Sequence, residues 1–388
     1  MTETAEARAL YDLSDDHRAM RSAIRELVEG EVAPRAAEID ENDAYPEDLQ
    51  RLFGEHDIAA LPFPEEYGGV GGDHIMYCIA IEEVSKASAA VGQMLTVWDL
   101  ASGPLRFFGT EEQKQRFLPP LASGEMLPAF ALSEPEAGSD PAGMRTRAVR
   151  DGDEWVISGE KNWISFVSVA GIITVFAVTD RDAPRHQGIS CFVVEAGSPG
   201  LSIGKLEHKM GMHGAPTGSP VFDEVRVPSE NMLGPENQGF KVAMKTLDHS
   251  RLGIAAQGLG IAQGATDYAA GYAKERRQFG QPIAEFQAIQ FKIADMETGN
   301  CAGRELLYRA AAKADRGEAD LGKYSAMAKL FCTDHAMRVT TEAVQILGGY
   351  GYVRDYPVER MMRDAKLTQI YEGTNEIQRI VISRSKLR

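Results

Sequence analysis

In this sequence of 388 residues, chemistry is most legible near the C-terminus, in residues 363–379, RDAKLTQIYEGTNEIQR. Glu372 stands between Tyr371 and Gly373, and a Gly-Thr-Asn break separates the helical stretches on either side. A carboxylate on such a break can point into a cleft, and the glycine lets backbone come close to a substrate. Desolvation there would raise its pKa toward the working range of a general base. Taken alone, Glu-Gly reads equally as a helix cap or a solvated carboxylate. A second segment, residues 130–140 (FALSEPEAGSD), joins Ser133 and Ser139 to a Gly138 hinge. Its hydroxyls and bare N–H groups could meet a polar ring or a phosphate, though by itself the segment is a turn. Residues 161–165 (KNWIS) set Trp163 beside a hydroxyl, a pairing suited to flanking a flat ring, although a lone Trp is more often core.

Other familiar chemistry is missing. Gly258, Gly260 and Gly264 have GxGxxxG spacing, but no strand precedes them and they sit inside a long helical pattern. They read as small residues that let helices approach closely, not as a dinucleotide loop. No GxxxxGK[ST] and no GxSxG occurs, which removes a P-loop and a nucleophile elbow. The eight histidines form no HExxH or similar spacing, so no metal site is expected. Cys78, Cys191, Cys301 and Cys332 are scattered without a CxxC, which predicts reduced, buried thiols.

Composition frames these candidates. At 44% hydrophobic and 25% charged the chain is that of a soluble globular protein, with a length suited to two or three structural units. No apolar run approaches the roughly 20 residues needed to span a bilayer. The start, MTETAEARALYDLSDDHR, has neither a secretory core nor an Arg-rich transit character, which predicts a cytoplasmic enzyme. A net charge of −16 argues against nucleic acid as a partner. Residues 1–120 hold 10 basic and 24 acidic groups, residues 121–234 hold 9 and 15, and residues 235–388 hold 22 and 18. The C-terminal third is therefore the most hospitable to a phosphorylated ligand.

The elements that must position these residues fall in three blocks. From Ser14, the stripe Met20, Ile24, Leu27, Val28 predicts a helix that stops at Pro34. Shorter helical patterns follow near 47–55, 73–86, 90–108 and 111–122, with a Pro/Gly loop over 61–72. Beyond 125, Asp151-Gly152-Asp153 marks a hairpin, and IITVFAV (172–178), ISCFVV (189–194) and VFDEVRV (221–227) read as strands. Short strands with turns between them suggest a small barrel or sandwich. Segments near 240–273, 285–315 and 320–347 are long helices that read as a bundle.

FALSEPEAGSD, KNWIS, ERRQFG (275–280), QILGGYGY (345–352) and IYEGTNEIQR (370–379) stand in the order and spacing of the acyl-CoA dehydrogenases. The sequence resembles that family over essentially its whole length, to Arg379. The resemblance implies an α+β fold: an N-terminal helical domain (1–124), a middle β-barrel domain (125–234) and a C-terminal four-helix bundle (235–388). It implies non-covalent FAD, with Phe130, Leu132, Ser133 and Ser139 lining the flavin from one motif and Trp163, Ile164 and Ser165 from the other. Arg276, Phe279 and Gln287 match residues that reach the ADP half of FAD from a neighbouring subunit, and Gln345, Leu347, Gly348 and Gly349 match the loop that also holds it. Thr374, Asn375 and Glu376 match positions that touch the cofactor beside the catalytic carboxylate. Ser139, Asp248, Arg251 and Gly373 match residues that grip the acyl-CoA.

By the same resemblance Glu372 is the base that removes the α-proton of a saturated acyl-CoA while the β-hydride passes to flavin N5, giving a trans-2-enoyl-CoA. The Glu372 N–H and a ribityl hydroxyl would polarise the thioester carbonyl. Electrons would leave to an electron-transfer flavoprotein, and the assembly would be a homotetramer. Some members carry the base on the helix that holds residues 247–251 (LDHSR), where this chain has Ser250, so the role stays with Glu372. Two departures lie near the flavin's outer side: Glu136 replaces a small or amide residue, and Phe166 stands where Asn is common. A flavin oxidase on the same fold and a non-catalytic binding relative are the competing readings.

Overall fold

Ser14 opens the fold as the spacing predicts. Its hydroxyl accepts from the His17 backbone N–H, capping α1 (Asp15–Leu27). The expected stop at Pro34 is instead a change of winding. A π turn over Val28–Val32 and a 3-10 turn over Ala33–Arg35 carry the chain into α2 (Ala36–Asn42). Proline lacks the N–H and crowds the carbonyl one turn back, and the wider turn before it accommodates both. This computed structural model describes residues 13–387; the first twelve residues, part of the start expected to carry no targeting segment, and Arg388 lie outside them.

Helices α3 (Glu47–Glu55), α4 (His74–Ala87), α5 (Ala89–Phe108) and α6 (Glu111–Ala122) begin and end within a residue or so of the expected limits. Their starts have side-chain reasons: Asp73 accepts from Met76 N at 2.7 Å, and Thr110 and Gln113 form a capping box. The β region holds β1 (Pro128–Ala131), β2 (Arg147–Asp151), β3 (Glu154–Glu160), β4 (Ile164–Ser165), β5 (Ile172–Val178), β6 (Ile189–Glu195), β7 (Leu201–Leu206), β8 (Thr217–Pro228) and β9 (Met232–Leu233). The expected barrel takes the form of one nine-stranded mixed sheet, ordered β4-β8-β3-β2-β5-β6-β9, with β1 parallel to β5 and β7 antiparallel to β8. Its core joins Trp155, Ile157, Val175, Phe192, Phe222 and Val225, all buried. Long helices follow: α7 (Gly239–Glu275), α8 (Gln287–Asp315) and α9 (Leu321–Leu347), then α10 (Val358–Thr368) and α11 (Asn375–Leu387). A two-stranded hairpin, β10 (Arg277–Gln278) and β11 (Gln281–Pro282), separates α7 from α8.

By contacts the chain forms two compact units, and these cut across the three sequence blocks. Among the described residues one is helical and comprises 13–37, 73–92 and 251–387; the other comprises 38–72 and 93–250 and contains the nine-stranded sheet. In the helical unit α9 packs against α8, α10 and α11, and α4 lies against α1 and α8. Among the described residues no helix is long and apolar enough to cross a membrane, and no cluster of His, Cys, Asp or Glu could hold a metal ion. Cys78, Cys191 and Cys332 are buried free thiols as expected, but Cys301 is exposed on α8. Its neighbours Asn300 and Gly303 occupy that helix's inward face, so position 301 turns outward.

The GxGxxxG segment of α7 is a packing device. A Cβ on Gly260 would stand 2.4 Å from the Glu82 carbonyl oxygen and one on Gly264 would stand 2.3 Å from that of Lys86, both on α4. The Glu82 oxygen cannot swing aside without breaking the ladder of its helix. Gly260→Leu is therefore expected to destabilise the protein by about 2 kcal/mol or more through overpacking, read from the urea unfolding midpoint. A midpoint equal to that of the parent would show that α4 and α7 are not held at this distance.

Candidate functional site

Helix α10 ends at Thr368 and α11 begins at Asn375, which leaves Glu372 in the break between them. Its φ is +52° and that of Gly373 is +90°, two left-handed residues in succession. Glycine adopts this region freely, whereas a glutamate held there is strained by roughly 1–2 kcal/mol. A Cβ at Gly373 would also lie 2.8 Å from Gln378 Nε2 and would push that amide away. Side chains from three helices fix the turn. Lys329 Nζ, fully buried on α9, donates to the Gly373 carbonyl at 2.9 Å and to Asn375 Oδ1 at 2.8 Å. Gln378 Nε2 on α11 donates to the Gly373 carbonyl at 2.8 Å and reaches the Glu372 carbonyl at 3.3 Å. On the other flank the Tyr371 hydroxyl donates to Gln257 Oε1 on α7, and Gln257 Nε2 donates to the Ala89 carbonyl at 2.8 Å.

Electrostatics follow from this packing. Burial pushes the Lys329 ammonium down to about 7, against the nearby Glu372 charge, which raises it. Burial pushes the Tyr371 hydroxyl well above its ordinary value, and the charges of Glu372 and Asp364 add to the rise. Thr374 Oγ1 accepts from Ile377 N and the Asn375 amide donates to Thr333 and Asp334, so both side chains are engaged in starting α11. Glu376 is exposed and its carboxyl is held below the usual range, first by its own backbone N–H and then by Thr374.

A second part of the helical unit lies where α9 stops. Gly348 has φ +63° and ψ −134°, a conformation open essentially to glycine alone. A Cβ at Gly348 or Gly349 would meet nothing within 4 Å, so the backbone faces open space. That space is a cavity of about 940 Å³ lined by Arg276, Leu347, Gly348, Gly349 and Tyr350 among others. The Arg276 guanidinium lies 5.1 Å from the Tyr350 ring centre. A cation, a flat ring and bare peptide groups around one cavity suit a phosphorylated, aromatic ligand. Phe279, Gln287 and Gln345 do not line it. Phe279 sits at the tip of the β10–β11 hairpin with φ +53° and 93% of its surface exposed, its ring edge-on to Phe286.

In the sheet-containing unit, FALSEPEAGSD and KNWIS are brought together by a buried ion pair. Lys161 Nζ donates to Glu134 Oε1 at 2.8 Å and to the Leu132 carbonyl at 3.1 Å. Glu134 in turn accepts from the N–H groups of Arg145 and Thr146. Asn162 N donates to the Ser133 carbonyl at 2.9 Å, which locks the two segments side by side. Burial lowers Lys161 to about 8 although Glu134 opposes the fall. Burial raises Glu134, but the Lys161 charge and its hydrogen bonds bring it below the usual carboxylate range.

Trp163, at φ +63°, is 60% exposed and presents its indole outward. Ile164 is buried, while Ser165 Oγ accepts from Gln93 Nε2 at 3.0 Å. Phe130 packs on Phe176, Leu132 is nearly buried, Ser133 is half-buried and Ser139 is exposed.

The departures have structural reasons. Glu136 pairs with Arg145 at 2.8 Å on the surface. Phe166 has φ +59°, the left-handed region in which asparagine is enriched, yet it is fully buried and edge-on to Tyr45. Ring burial here offsets the backbone strain. On α7, Asp248 is half-buried while Ser250 and Arg251 are buried. Lys329 and Gln257 lie 43 and 115 residues before Glu372, and nothing in their spacing ties them to it, while Gln378 stands inside the IYEGTNEIQR motif without a role assigned by its pattern. Lys161 and Glu134 lay inside motifs that were read only for their neighbours.

Three family models together match nearly the whole chain: the acyl-CoA dehydrogenase N-terminal domain at 14–125, the middle domain at 129–225 and the C-terminal domain at 237–387. A short-chain specific acyl-CoA dehydrogenase of Clostridium acetobutylicum is 47% identical over 374 residues, 96% of this chain and 98% of that protein. Butyryl-CoA dehydrogenase from Megasphaera elsdenii has a TM-score of 0.95 at 45% identity, covering 97% of this chain and 100% of that one. A chain of a structure described as an electron transferring flavoprotein of Acidaminococcus fermentans has a TM-score of 0.96 at 46% identity, covering 97% of this chain and 99% of that one.

The Lys161–Glu134 pair gives a direct stability test. Lys161→Met leaves a buried carboxylate uncompensated and is expected to cost about 3 kcal/mol. Adding Glu134→Gln should recover part of that loss, measured by urea unfolding of both variants. A double variant no more stable than Lys161→Met alone would mean that the loss does not come from the unpaired charge.

Proposed function

Because the chain belongs to the acyl-CoA dehydrogenase family, we propose that it removes the α- and β-hydrogens of a saturated short- to medium-chain acyl-CoA with Glu372 as the base. It is a flavoprotein oxidoreductase whose cofactor is FAD. The residues present fit that group: the Gly348-Gly349 backbone beside Arg276 suits the ADP half, and the exposed Trp163 beside Leu132, Ser133, Ile164 and Ser165 suits the ring system. When bound, FAD supplies the two-electron acceptor that the carbon chain requires.

The observation that carries the proposal is the turn itself. An acyl thioester has a weakly acidic α-hydrogen, and its removal needs a carboxylate whose position does not wander. The Glu372 backbone is pinned on both flanks, by Tyr371–Gln257 on one side and by Lys329 and Gln378 on the other. Its backbone N–H is the family's donor to the thioester oxygen, where negative charge develops as the proton leaves. Gly373 beside it leaves the approach to that N–H without a side chain. Asp248 and Arg251 stand one helical turn apart on α7 and would address the CoA portion, together with Ser139. The names of the relatives support a short acyl chain. An electron-transfer flavoprotein as acceptor, a homotetramer, a cytoplasmic location and the three-part division at 124/125 and 234/235 belong to the same proposal.

Anaerobic titration of the yellow protein with butyryl-, hexanoyl- and octanoyl-CoA tests it, with bleaching of the flavin absorbance as the expected result. Glu372→Gln should keep FAD and lose turnover by about 1000-fold, in line with removal of a general base. Normal turnover in that variant would falsify the assignment.

A further inference from the structure

The reading of Glu372 as base accounts for the carboxylate but not for the buried lysine behind it. Lys329 lies in the interior of α9, fully buried, and its ammonium is spent on the two atoms that define the turn, the Gly373 carbonyl and Asn375 Oδ1. Burying an ammonium is unfavourable unless charge and hydrogen bonds compensate. An apolar residue would fill this core position more cheaply, so the amine is kept for what it holds. We propose that Lys329 is the positioning residue of the Glu372 turn: its hydrogen bonds hold the carboxylate's backbone in the left-handed region, and its charge keeps that carboxylate ionised and ready to accept a proton. This rests on Glu372 being the base.

The charged groups acting on Lys329 are Glu372 in the turn, Arg251 on α7, Asp334 on α9 and Glu376 on α11. Burial lowers Lys329 to about 7, so the ammonium is charged throughout the acidic range in which a carboxylate titrates. Removing a neighbouring cation raises a carboxylate's pKa, which moves the acidic limb of the rate profile to higher pH. Tyr371 pins the same turn from the other flank with a neutral hydroxyl. Its loss loosens the turn and changes no charge.

Flavin reduction by butyryl-CoA is therefore measured by anaerobic stopped flow across pH 5–9 in the FAD-loaded parent, Lys329→Met and Tyr371→Phe. Lys329→Met is expected to slow reduction about 10- to 100-fold, as for a misplaced catalytic group, and to move the acidic limb up by about half a unit or more. Tyr371→Phe is expected to slow reduction with the limb unmoved. An unchanged rate and limb in Lys329→Met overturn the proposal, and an equal limb shift in Tyr371→Phe overturns the assignment of the charge to Lys329. Lys329→Gln, which keeps a shorter and uncharged donor, carries the charge half of the test, the shift of the acidic limb, if the methionine variant does not accumulate as folded protein. Glu372→Gln separates the two failures. If it turns over normally, the reading of the base falls; if it is inactive while the Lys329 variants match the parent, only this inference falls.

Discussion

Two adjacent left-handed residues cannot continue a helix, and their carbonyls must find donors from outside the local ladder. In this protein those donors are Lys329 and Gln378, and the arrangement of the helical unit around Glu372 follows from that requirement. Helix α9 must bring an amine to the turn, α11 must begin at once so that Gln378 can fold back, and α7 must offer Gln257 to Tyr371. Hydrogen bonds to a charged donor contribute about 1.5–3 kcal/mol each, enough to offset the strain of a left-handed glutamate. The turn is rigid because several elements would have to move together to release it.

A second buried lysine repeats the device. Lys161 bonds the Leu132 carbonyl and the Glu134 carboxylate, again joining a loop backbone to a neighbouring segment. Both ammoniums are pushed well below the ordinary lysine value by burial, so each is retained at an energetic disadvantage. Buried charge of this kind serves geometric definition better than net stability. The network of Arg304, Glu82 and Tyr308 differs in purpose, since it ties α4 to α8 through side chains alone and shapes no loop. Exposed pairs such as Arg18–Asp15 contribute little by comparison.

Helix limits were legible because their causes are local: Ser14, Asp73 and Thr110 cap where the periodicity starts. Strands β5 and β6 were legible because they are buried on both faces and read as unbroken β-branched and aromatic runs. β1 and β7 were not. β1 is four residues long and owes its form to pairing with β5, while β7 is mostly exposed and carries a glycine and a lysine. The buried left-handed Phe166 depends on what packs around it, which no window of sequence contains, and Pro34 marks the place of the winding change without revealing that the chain runs on into another helix. The same division holds at the site. The motif residues could be named in advance, whereas Lys329 and Gln257 lie far off in the chain, and Lys161 and Gln378 stand inside the motifs but show their anchoring role only in the folded contacts.

Trp163 is exposed, whereas Trp98 and Trp155, the other two tryptophans, are buried. An indole in water emits at longer wavelength than one in a core and is open to collisional quenchers. The protein therefore carries a built-in optical reporter on the segment proposed to line the flavin. Quencher-accessible emission comes from that one ring, and its shielding registers occupancy of the segment without a label.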